Sequence, residues 1–100
     1  MAFDQKTDFA NRRQAMAVYL CNVSTATRET LIGGLKTKQA RDELRELYLL
    51  AKAKQILSWP CPVRNLYLTQ LATTRPEQRA TLVIFMTVIM RGQNENTVNP

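Results

Sequence analysis

The sequence predicts an all-α fold, a small bundle of about four to five helices with a long central helix and an apolar C-terminal one. Three observations predict it. Ala40, Leu44, Leu47, Leu50, Ala51 and Leu57 recur at a spacing that gathers them on one side of a helix. That stretch meets Trp59-Pro60-Cys61-Pro62, whose prolines remove backbone donors and push the preceding residues away from helical angles. Thr74-Arg75-Pro76-Glu77 then has the form of a capping box, with Thr74 as N-cap, Glu77 at N3 and a proline in the first turn.

In chain order, the first helix is expected from about Thr7 to Val23, with Phe9, Met16, Leu20 and Val23 at helical spacing. Ser24-Thr25-Ala26-Thr27 interrupts it and offers several capping hydroxyls. A short second helix, roughly Arg28 to Leu35, presents Leu31, Ile32 and Leu35 before a turn at Gly33-Gly34. Thr37 caps the long third helix. A fourth spans about Val63 to Ala72 and carries Leu66, Tyr67, Leu68 and Leu71. The fifth ends near Arg91-Gly92 on a glycine stop. Residues 1–92 are read as one helical domain and 93–100 as a flexible polar tail.

The fifth segment carries an ambiguity. Thr81, Val83, Ile84, Thr87, Val88 and Ile89 are β-branched and also suit a buried strand, so residues 80–90 compete between helix and strand. Its start and stop signals favour a helix. Apolar nearly all round, that helix is expected to be buried on every side. Leu82, Phe85, Met86 and Ile89 are its core or dimer-interface residues, and homodimerisation is expected because so small a chain has few layers to cover it.

Charge is the main functional clue. The chain has 14 Lys and Arg against 8 Asp and Glu, a net charge of +6. Such an excess favours nucleic acid or an acidic protein as partner. On the third helix Lys38, Arg41, Arg45 and Lys52 fall within an arc of roughly 60° opposite the leucines, while Asp42 and Glu46 share a flank. Charge interspersed in sign would suffice for solubility; charge sorted by sign suits phosphate, to which arginine offers a planar fork. Arg12 and Arg13 form a second basic point. Tyr48, beside the arc, is the aromatic best placed to stack on a base.

LIGGLKTKQARDEL also has the outline of a helix-turn-helix, with Thr37, Lys38, Gln39 and Arg41 facing the groove. Its second helix runs on well past the short length of a recognition helix. The function expected first is a small, non-enzymatic DNA-binding regulatory protein, with duplex DNA met through a basic helix face. The alternative is a protein-binding adaptor (a secretion chaperone, inhibitor or assembly subunit) docking through its apolar C-terminal helix.

Other classes find little support. With no histidine the chain has no imidazole base, and Cys21 and Cys61 stand far apart, so no catalytic residue, metal site or cofactor is expected. Both thiols are read as reduced and buried. The N-terminal MAFDQKTDFANRR has no apolar stretch. The most apolar run, Ala80 to Met90, has 11 residues, where a membrane span takes about 20. A cytoplasmic protein without a membrane partner is the expectation.

Overall fold

The structure, a computed structural model, describes the backbone of residues 5–98 and the side chains of residues 10–93. Among the described residues it has five α-helices and no strand: α1 (Gln5–Leu20), α2 (Thr25–Gly33), α3 (Lys38–Leu57), α4 (Cys61–Thr74) and α5 (Pro76–Val98). The chain divides into two compact units, Met1–Ala51 and Lys52–Pro100, with the division inside α3.

In the first unit α1 stops at Leu20, short of Val23, because the backbone tightens: Cys21 N–H donates to the Val18 carbonyl and Asn22 N–H to that of Tyr19. The Phe9 side chain lies outside the described residues. The second helix begins three residues before Arg28. The first hydroxyl of the run is the one that caps it, Ser24 Oγ accepting from Thr27 N–H at 3.2 Å. Thr37 caps α3 as expected, its hydroxyl accepting from Ala40 N–H at 3.1 Å.

The core of this unit is Leu20, Ile32, Leu44 and Tyr48, with Cys21, Val23, Leu35 and Leu49 packed against it. Each fully buried aliphatic side chain contributes about 1.5–3 kcal/mol. One charge lies inside: Arg28 is only 6% exposed. Its Nη1 donates to Tyr48 Oη at 2.8 Å, and its guanidinium lies 4.5 Å from the centre of the Tyr48 ring. A buried charge persists only with such partners.

In the second unit the two prolines divide the labour. Pro60, extended at φ −57° and ψ 144°, separates the helices, and Pro62 sits in the first turn of α4, where its missing N–H costs nothing. Consequently α4 starts at Cys61, before Val63, and runs to Thr74. Thr74 is therefore not the N-cap of α5. As the last residue of α4 it donates its hydroxyl back to the Gln70 carbonyl at 2.8 Å, and Arg75 takes the junction, its carbonyl accepting from Arg79 N–H.

Residues 80–90 are helical. Thr81 and Thr87 return their hydroxyls to the carbonyls of Glu77 and Val83, four residues back, so their polar groups are satisfied without a strand. Beyond Gly92 the backbone stays helical to Val98, so the expected tail is helical over 93–98; residues 99–100 lie outside the described residues. A glycine stop needs positive φ, which no described glycine adopts.

One side of α5 is buried and the other is not. Leu82 is fully buried and Met86 nearly so, with Phe85 and Ile89 half-buried, while Ile84 is 61% and Val88 60% exposed. The expectation of burial on every side is thereby corrected. In the second unit α4 packs against α5.

Two substitutions test this fold. Tyr48→Phe leaves a buried guanidinium N–H without its acceptor and should cost about 1–3 kcal/mol in urea unfolding followed by circular dichroism. Gly92→Ala meets nothing within 4 Å and should stabilise α5 by about 0.5–1 kcal/mol; a loss of stability would mean that Gly92 ends the helix after all.

Candidate nucleic-acid interface

The α2–turn–α3 segment is the best-defined surface feature of the first unit. Ile32 on α2 and Leu44 and Tyr48 on α3 close its apolar inside, with Leu35 of the connecting turn packed against them. The turn is short, from Gly34 to Thr37, and is tied from both ends. Gly34 N–H donates to the Thr30 carbonyl, and Arg41 Nη1 donates to the Leu35 carbonyl at 2.7 Å. Lys36, Thr37, Lys38 and Gln39 are all exposed at the start of α3. Two of the four are cations, beside the helix N-terminus whose dipole itself favours an anion.

The four cations expected to share one open front have different surroundings. Lys38 is exposed. Arg41 is half-buried and turned to the Leu35 carbonyl. Arg45 is exposed but lies between two carboxylates, 3.7 Å from Glu29 of α2 and 3.8 Å from Asp42. Lys52 belongs to the second unit, where its Nζ lies 5.3 Å from the centre of the Trp59 ring and 5.2 Å from that of Tyr67. Those two rings meet edge to face at 5.4 Å. The even basic arc of the helical projection is thus broken up by partners from neighbouring elements.

Of the supporting pair, Arg12 is exposed and Arg13 forms an ion pair with Glu43 of α3. Gln39 Nε2 also donates to Glu43, at 3.2 Å. Tyr48, expected to offer its ring to a base, is 3% exposed and its ring carries Arg28 instead. Arg28 itself was not among the sequence candidates. Its sole sequence signal is a polar residue four before Ile32, on the stripe that the core demands.

On α5, Leu82 and Met86 are buried and Phe85 and Ile89 half-buried. The thiols differ from expectation: Cys21 is half-buried, and Cys61 is exposed, its sulfur accepting from Arg64 Nη2 at 2.7 Å. Cys61 opens α4. Among the described residues no three His, Cys, Asp or Glu side chains gather as metal ligands, and no helix is long and apolar enough to cross a membrane.

The aromatic clamp on Lys52 gives a direct check. Lys52→Met keeps the aliphatic stem but removes the cation, and should lower stability by about 0.5–1 kcal/mol with a changed Trp59 emission spectrum. An unchanged spectrum would mean that the ammonium does not lie over the ring.

No family model, no curated protein and no solved structure matches this chain, so the role of this surface is argued from its geometry.

Proposed function

We propose that this chain is a small, non-enzymatic DNA-binding protein that meets the duplex through the α2–turn–α3 segment. The observation that carries this reading is the exposed Lys36-Thr37-Lys38-Gln39 stretch at the start of a capped helix, presented by a turn tied at both ends. Lysines supply phosphate contacts, and an amide such as Gln39 pairs with base edges. The basic face is centred on this end of α3 rather than along its length. Arg12 and Arg45 are exposed cations of the same unit. The pairs from Arg45 to Glu29 and Asp42 are exposed, worth about 0–1 kcal/mol each, and yield readily to phosphate.

A second reading, a protein-binding adaptor with an acidic or apolar partner, is favoured by the uncovered side chains of the second unit. Val63 and Leu66 on α4 and Ile84 and Val88 on α5 are all more than half exposed. Isolated exposed apolar residues are ordinary, whereas several on one short pair of helices point to a contact surface.

Retention on duplex DNA separates the two. The wild-type chain should bind duplex DNA with affinity that falls steeply between about 50 and 200 mM salt. Lys36→Glu/Lys38→Glu should abolish retention with the circular dichroism spectrum unchanged. Binding that is undetectable at low salt, or indifferent to both substitutions, removes the nucleic-acid reading and leaves the adaptor.

A further inference from the structure

We infer that the outer face of α5 is a self-complementary seam that pairs two copies of this chain antiparallel, centred on Ile84. The inference stands on α5 alone and is independent of the nucleic-acid reading.

At about 100° per residue, Glu77, Ile84 and Arg91 follow one another at seven-residue intervals and stay within about 40° of a single line along the helix. Ala80, Thr87 and Val88 adjoin that line, with Val83 and Met90 on its edge. The side chains of Ile84, Val88, Val83 and Met90 are all exposed. No charged residue lies between Ala80 and Met90. The face is therefore an apolar strip closed at one end by an acid and at the other by a base.

That order of charges selects the occupant. In an antiparallel pair centred on Ile84, the residue seven before the centre faces the residue seven after it. Glu77 of each copy meets Arg91 of the other, and the two charge pairs bracket the apolar strip. Ala80 comes opposite Val88 of the second copy, a small side chain against a branched one, so the helices approach closely at the shallow crossing of about 20°. Both Glu77 and Arg91 are exposed. Among the described residues neither side chain makes an ion pair within its own chain. A parallel pair sets Glu77 against Glu77 and Arg91 against Arg91 and is disfavoured by both contacts. A two-fold interface must be its own complement, and this strip meets that condition in one orientation only.

The interface differs from the one expected from the sequence. Leu82 and Met86 are buried and Phe85 and Ile89 half-buried, and the seam uses the opposite side of the helix.

Sedimentation velocity of the full chain over a dilution series, without nucleic acid, tests the inference, with circular dichroism confirming that each variant is folded. The wild type should show a monomer–dimer equilibrium. Ile84→Glu, at an exposed position that leaves the interior intact, should yield monomer at every concentration. Glu77→Arg and Arg91→Glu should each raise the dissociation constant about tenfold or more, since each brings like charges together. The double variant Glu77→Arg/Arg91→Glu should restore wild-type association, because the pairs re-form with signs exchanged. A wild type that is monomeric throughout, a dimer indifferent to Ile84→Glu, or a double variant as weak as the single ones overturns the inference.

Discussion

A guanidinium with almost no access to water sits against a tyrosine in the first unit, and much of that unit's surface follows from it. Arg28 is held by the Tyr48 hydroxyl and by the face of the Tyr48 ring, so α2 and α3 have one relative placement that satisfies the charge. Leu20, Ile32 and Leu44 supply apolar burial, but apolar contacts tolerate sliding more readily than a buried, hydrogen-bonded cation does. Glu29, next in sequence to Arg28, lies 3.7 Å from its guanidinium and equally near Arg45 of α3. A buried residue therefore sets which acids stand beside which exposed bases.

This explains why a helical projection misjudges the basic face. Projection sorts the residues of α3 among themselves, and Asp42 of the same helix does stand 3.8 Å from Arg45. It cannot include Glu29, which arrives from α2, or the Leu35 carbonyl, which arrives from the turn. Nor does it register the Trp59 and Tyr67 rings that receive Lys52. What remains open is the beginning of the helix, where exposed lysines coincide with a positive dipole end.

The second unit is governed by a shortage of layers. Leu71 of α4 and Leu82 and Met86 of α5 are buried, α4 packs against α5, and α5 is apolar on two sides. Ile84 and Val88 are left in water at a cost on the order of 1 kcal/mol or more each. Association is one way for a small chain to offset that cost, and Glu77 and Arg91 at the ends of the strip are the charges on which the proposed antiparallel pairing rests.

Local chemistry was legible in the sequence. The Thr37 cap, the proline division between α3 and α4 and the all-α class all depend on residues within a few positions of each other, where spacing and backbone geometry suffice. The boundaries that moved did so where two local signals compete: Ser24 caps α2 ahead of later hydroxyls, Thr74 closes α4 instead of opening α5, and Gly92 keeps helical angles. The tertiary structure alone decided that Arg28 lies inside, that Tyr48 serves it rather than a ligand, and that α5 has a dry side and a wet one. Each of these depends on which element arrives from a distant part of the chain, and desolvation acts on that arrangement, not on the order of residues along a single helix.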